Sequence, residues 1–248
     1  MLIDFFVYPF GGVEKSSYLR SMISKSKLKL IKSLESKKHR AAEGLFVAEG
    51  PKVIEELSKL CEPAEVFCGD DALKASFLQH PQGVLALFPT DIFKNITPVS
   101  ELKRMLDGVQ DPGNLGTIIR VADWFGIDHI YCSPDTADVF NPKVVQATMG
   151  SMARVKVEYA DLRAVIDALP DGFPVYGTLL DGNDIYGERL EQRGIIVMGN
   201  EGNGISQSIR ERVNRRLLIP SYPADRQTAE SLNVAIATAI VCAEFRRR

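Results

Sequence analysis

Two hydrophobic periods trade places along most of this chain. Short apolar runs that read as strands alternate with stretches whose apolar positions recur every three or four residues, the spacing of a helix with one buried face. From Met22 to Arg40, the apolar residues Ile23, Leu28, Ile31 and Leu34 recur at helical intervals. LFVAEG then reads as a strand and Val53, Ile54, Leu57 and Leu60 as a helix; AEVFCG, residues 71–79 and GVLALF continue the alternation. The stretch PTDIFKNITP, with prolines at 89 and 98 and few periodic positions, predicts a linker. Beyond it come the strands RMLDGV, DHIYC, RVKVEY, FPVYGTLL, GIIVM and RRLLI, separated by helices over 114–125, 142–150, 161–168 and 205–212 and followed by one near 229–246. This order predicts an α/β protein: a small α/β domain over 22–98, then a mostly parallel sheet covered on both faces over 99–248. Residues 1–21 fit neither period and are expected to form an N-terminal extension.

Composition narrows the class. The chain has 248 residues, 45% hydrophobic and 25% charged, as in ordinary folded proteins. It has no uninterrupted apolar run of about 18 residues, so no membrane-spanning helix is expected. The apolar N-terminus lacks a basic flank and a cleavage site and does not read as a signal peptide. Net charge is -2, which argues against holding nucleic acid by bulk charge. Local basic patches remain: Lys25–Arg40, which carries one acid, Glu35, then Arg210–Arg216 and Arg246–Arg248. Cys61, Cys68, Cys132 and Cys242 lack zinc-site spacing, so no metal and a reducing, cytoplasmic compartment are expected. His39, His80 and His129 are scattered and read as bystanders.

Candidate chemistry sits in three turns after strands of the second half, where open α/β sheets place ligands. Asp111-Pro112-Gly113-Asn114 opens a helix whose stripe Leu115, Ile118, Ile119, Ala122 and Phe125 faces a core. Pattern alone favours Asn114 as its N-cap, while Arg120 lies off the apolar stripe. Gly199-Asn200-Glu201-Gly202-Asn203-Gly204 is a GxxGxG turn, neither a dinucleotide fingerprint nor a phosphate loop. It reads equally as a tight turn and as a ligand site. LLIPSYP leads to Ser231, Leu232 and Asn233 at the head of the last helix, where Ser231 and Asn233 read as caps. In that helix Leu232, Ala235, Ile236, Ala239, Ile240 and Ala243 form a small-residue stripe suited to a core or a dimer interface.

Together and in this order, DPGNLGTIIRVADWFGID, IVMGNEGNGIS and IPSYPADRQTAESLNVAIATAIVCAEF resemble the three motifs of the SpoU/TrmH branch of the SPOUT RNA methyltransferases. Residues 22–98 resemble that family's small L30e-like RNA substrate-binding domain. The resemblance implies a trefoil-knotted SPOUT domain, a homodimer with its site near the subunit interface, and methyl transfer from S-adenosylmethionine to a ribose 2′-hydroxyl of tRNA or rRNA. It also implies Asn114 and Arg120 as the catalytic pair, supported by Glu201, with Ser231 and Asn233 completing the pocket. Thr178, Gly199, Ile219 and Leu232 would line the cofactor, largely through backbone groups. Where the family has a short apolar-glycine turn after IP, this chain carries SYPADRQTAE, a departure at the cofactor loop. Arg120 is open to two roles, the base or the positioner of an RNA phosphate. A non-catalytic RNA-binding or ribosome-assembly protein on the same fold is the alternative from another class.

Overall fold

The computed structural model describes residues 23–223, 229 and 231–247. The expected extension over 1–21 and most of the atypical loop over 221–230 therefore lie outside the described residues. The return of the chain toward the last helix runs through that loop, and the threading expected of a knot lies outside them too.

The first half opens with two helices, α1 (Lys25–Ser33) and α2 (Lys37–Glu43), where the period predicts a single one. Arg40 explains the break. Its guanidinium collects the carbonyls of Leu34 and Glu35, both at 2.7 Å, which a continuing helix would use for its own ladder. β1 (Leu45–Glu49), α3 (Pro51–Ser58), β2 (Glu65–Cys68), α4 (Asp70–Ala75) and β3 (Val84–Pro89) follow. The strands form an antiparallel sheet in the order β1-β3-β2. A short 3-10 turn, Ile92–Asn95, occupies the expected linker.

The second half runs β4 (Leu102–Asp107), α5 (Pro112–Trp124), β5 (His129–Cys132), α6 (Pro142–Thr148), β6 (Lys156–Tyr159), α7 (Leu162–Asp167) and β7 (Val175–Asp184). It continues through β8 (Gly194–Gly199), α8 (Gln207–Arg210) and β9 (Arg215–Leu218) to α9 (Val234–Arg247). Six strands lie in the order β6-β5-β4-β8-β7-β9, and every described pairing is parallel. Both faces are covered, as the pattern predicts. Leu102, Leu106, Ile196 and Met198 join α5, α6 and α9 in one core. The residues between them, Met105, Ile195 and Val197, join α7 and α8 in another, because successive strand residues point to opposite faces. Strand order reverses between β4 and β8. Their C-terminal ends, Asp107 and Gly199, sit side by side in register, at the switch point where such sheets open a crevice.

The two layers are joined by a shared core and by charge. Phe140, after β5, packs at a tilt on Phe46 of β1 at 4.7 Å and stacks with Phe93 at 5.5 Å between ring centroids. Arg40, 2% exposed, pairs with Asp138. Arg154 bridges Asp123, at 2.8 Å, and Glu56 of α3. These pairs divide the basic patch read over Lys25–Arg40. Arg40 is interior, Lys27 pairs with Glu65, and Lys25, Lys29 and Lys38 remain exposed. Among the described residues, no helix is long and apolar enough to cross a membrane.

Candidate active site

α5 begins two residues earlier than its period predicts, and the difference changes the role of Asn114. Pro112 takes the first helical position, where its missing N–H costs nothing. Asp111 is the N-cap, and its carboxylate accepts from the Asn114 backbone N–H at 2.7 Å. The Asn114 side chain is therefore not spent on capping. Its Nδ2 donates to Glu201 Oε1 at 2.8 Å, and its Oδ1 accepts from Asn233 Nδ2 at 2.9 Å.

The direction of this chain of hydrogen bonds is set from one end. Asn233 caps α9 as expected, its Oδ1 accepting from the backbone N–H groups of Ala235 at 3.0 Å and Ile236 at 3.2 Å. That leaves its amide nitrogen for Asn114, which presents oxygen to Asn233 and N–H to the carboxylate. One member comes from each of the three motifs, and the links span 87 and 119 positions of sequence. The meeting of the three turns that the family resemblance implies is thus seen here as hydrogen bonds.

Glu201 is held out by a stitched turn. Asn200 and Gly204 exchange backbone hydrogen bonds at 2.9 Å each. The Asn200 side chain donates to the Gly108 carbonyl at 2.7 Å and accepts from Gly202 and Asn203 at 2.8 and 3.0 Å. A Cβ on Gly199 would lie 2.2 Å from the Gly204 carbonyl carbon. The missing side chain of Gly199 thus makes room for the turn's own return. Asn200, not singled out in the sequence, is the organiser of this turn, and its place between Gly199 and Glu201 was the available signal. Asp107 was likewise missed; its Oδ2 accepts from Ser206 N at 2.7 Å.

The other candidates fall into two groups. Gly199 ends β8 and Ile219 follows the last residue of β9, while Thr178 lies within the adjacent strand β7, opposite Leu217 in register where the β7–β9 pairing shifts. Thr178 Oγ1 donates to the Val197 carbonyl at 3.2 Å. Ser231 and Leu232 immediately precede the Asn233 cap, both exposed, and no hydrogen bond among the described residues ties Ser231 to Asn114 or Glu201. Arg120 is not brought to this cluster within one chain. It lies about 9 Å along the α5 axis from Asn114 and about a third of a turn around it. It is exposed, and no hydrogen bond or ion pair to it is found among the described residues.

In two of the basic patches most of the arginines already hold partners within the chain. Arg210 and Arg216 both bind Asp181, Arg212 binds Asp167, Arg246 donates to the Phe125 and Gly126 carbonyls, and Arg247 pairs with Glu244. Arg248 lies outside the described residues. His129 stands at the start of β5, the end of the strand remote from the site, beside Glu158 at 3.2 Å. Burial and then Lys103 hold its pKa below the ordinary histidine value.

This geometry has close counterparts. The profile of the SpoU rRNA Methylase family matches residues 101–243, and that of the MRM3-like substrate binding domain matches residues 25–97. The chain is 33% identical over 243 residues to the 23S rRNA (guanosine(2553)-2′-O)-methyltransferase RlmP of Bacillus subtilis (strain 168), covering 89% of this chain and 96% of that one. A solved TrmH-family structure from Porphyromonas gingivalis superposes with TM-score 0.81 at 39% identity, covering 92% of this chain and all (100%) of that chain. The AdoMet-bound rRNA methyltransferase from Sinorhizobium meliloti superposes with TM-score 0.75 at 29% identity, covering 92% and 97%. Three motifs that meet through Asn114, Glu201 and Asn233, on a sheet that carries the family profile from β4 to α9, make this chain a member of the SpoU rRNA Methylase family.

Proposed function

We propose that the chain transfers a methyl group from S-adenosylmethionine to a ribose 2′-hydroxyl of RNA, with ribosomal RNA as the substrate class. The observation that carries this reading is the hydrogen-bonded line Glu201–Asn114–Asn233 at the switch point of the sheet. A scaffold retired from catalysis has no need of a polar line assembled from three distant segments. The named activity of RlmP and the AdoMet-bound Sinorhizobium structure support the same assignment.

The residues assigned to the donor fit it. Thr178, Gly199, Ile219 and Leu232 offer backbone groups and apolar side chains, without a lysine or arginine among them. A cationic ligand with an apolar body suits such a wall, and a pyrophosphate does not. When bound, S-adenosylmethionine supplies an electrophilic methyl on a positively charged sulfur. Glu201, its carboxylate oriented by Asn114, would give the site a negative charge that favours a cationic donor. A ribose hydroxyl is a weak nucleophile, so rate depends on alignment and on removal of its proton. A guanidinium is a permanent cation with donors only. We therefore assign Arg120 to holding an RNA phosphate against the reacting sugar, that phosphate assisting proton removal.

Arg120 reaches the line from a second copy of the chain in this reading. Beside it α5 exposes Trp124, 85% accessible, and the approach to α9 and its first turn expose Leu232 and Ile236, 51% and 54% accessible. The core side of α9 is instead Val234, Ala235, Thr238, Val241, Cys242 and Phe245. The small-residue stripe read from the sequence is thus split, its exposed part forming an apolar face of the kind a homodimer covers. Ile236→Glu is expected to give a monomer at micromolar concentration, read by sedimentation, with methyl transfer reduced about a hundredfold. The four cysteines, all free thiols, accord with a cytoplasmic protein.

The test of the function is direct. Incubated with ribosomal RNA and methyl-labelled S-adenosylmethionine, the protein is expected to place label in a 2′-O-methylnucleoside identified by mass spectrometry. Label on a base, or none on any RNA, overturns the assignment.

A further inference from the structure

A second cleft is lined by none of Asn114, Glu201 and Asn233. It has a volume of about 290 Å³ and lies at the C-terminal ends of β4, β5 and β6, under α7 and α8. Leu162 and Ile209 give it apolar walls; Asp107, Arg163, Ser206 and Ser208 bring polar groups to its rim. None of the residues assigned to the methyl donor lines it. Its size is at the small end of ligand sites, which run from about 300 to 1,000 Å³, so it suits one flat ring system and not a whole dinucleotide.

Three details define the chemistry. Arg163 is held flat by Asp161 through two hydrogen bonds, Nε to Oδ1 at 3.0 Å and Nη2 to Oδ2 at 2.9 Å. A guanidinium fixed in this way is a stacking plane for a base. Asp107 Oδ2 accepts one hydrogen bond, from Ser206 N at 2.7 Å, and keeps a second lone pair, while no donor reaches its Oδ1 among the described residues. With Asp107 and Asp161 both at the rim, a bare phosphate is repelled. A carboxylate accepts and never donates. Of the four RNA bases, guanine alone presents two adjacent donors on its pairing edge, N1–H and N2–H. Adenine and cytosine place an acceptor beside their amino group, and uracil flanks its one N–H with two carbonyls.

We propose that this cleft binds a guanine base of the substrate RNA, stacked on Arg163 and read on its pairing edge by Asp107. The proposal rests on the reading of the chain as an enzyme acting on RNA, and it names the base specificity of that enzyme. Asp107 is well placed for the task, because its neighbour Gly108 is bound by Asn200 and its own carboxylate holds Ser206. The Glu201 turn is therefore tied at one end to Gly108 and just beyond its other end to Asp107, so cleft and reacting centre share one wall.

The test is titration of the full chain with guanosine, inosine and adenosine 5′-monophosphates, followed by NMR, with and without saturating S-adenosylmethionine. Inosine lacks only the N2 amine. Guanosine monophosphate is expected to bind at least about fivefold tighter than either competitor, from the discrimination of about 1–3 kcal/mol that a bidentate base contact gives. Asp107→Asn, which keeps an acceptor for Ser206, should erase the preference, and Arg163→Ala should weaken all three nucleotides. Equal binding of the three, a preference that survives Asp107→Asn, or displacement of guanosine monophosphate by S-adenosylmethionine would each overturn the proposal. Because the readout needs no methyl transfer, a chain that prefers guanine in this way yet methylates nothing upholds the cleft and refutes the function.

Discussion

Arg120→Ala is expected to lower single-turnover methyl transfer about a thousandfold while leaving S-adenosylmethionine affinity within about twofold. The size follows from the role. Groups that align a nucleophile or assist its proton transfer contribute on the order of 10²–10⁴ in rate. The selectivity follows from the surroundings. Arg120 is exposed, and no partner for it is found among the described residues, so its truncation should cost no more than about 0.5 kcal/mol of stability. Arg120→Lys keeps the charge but loses the planar fork that matches a phosphate, and should recover little of the rate. Calorimetry with S-adenosylmethionine and rapid-quench assays with RNA separate binding from chemistry. A variant that methylates at the original rate removes Arg120 from the mechanism.

Arg40→Ala is expected to carry a large stability cost, about 3–5 kcal/mol. Its guanidinium is 2% exposed and satisfies the Leu34 and Glu35 carbonyls while holding Asp138, 98 positions away. Truncation strands two helix-end carbonyls and leaves a mostly buried carboxylate without its cation. Thermal unfolding should shift down by on the order of ten degrees at this chain length. Limited proteolysis should open first between α1 and α2. An unchanged melting temperature would show that the pair is not holding the first sheet to the second.

Most of the fold was legible because it rests on local periods. The α5 stripe through Leu115, Ile118, Ile119 and Ala122 is wholly buried, and each expected strand of the second half forms in the parallel sheet. Tertiary partners were not legible. Arg40 sits in a run of lysines and looks solvated until Asp138 is folded against it. The arginines of 210–216 look like a patch until Asp181 and Asp167 arrive from other elements. The last helix misleads for a different reason: its apolar residues cover more than one face, and periodicity cannot say which face meets the core and which meets another chain. The role of Asn114 turned on one boundary. Asp111-Pro112 was a readable cap and first-turn pair, and starting the helix there frees the amide two residues on for Glu201.

The line through Glu201, Asn114 and Asn233 also sets when activity can appear. Both ends must travel far along the chain to meet, 87 and 119 positions, and contacts of such separation form late because loop closure precedes any gain from them. A molecule that has collapsed around its strands but has not seated its closing helix is compact, soluble in the assay tube and inert. Turnover therefore counts only fully matured molecules, and a preparation's specific activity doubles as a gauge of how many have finished folding.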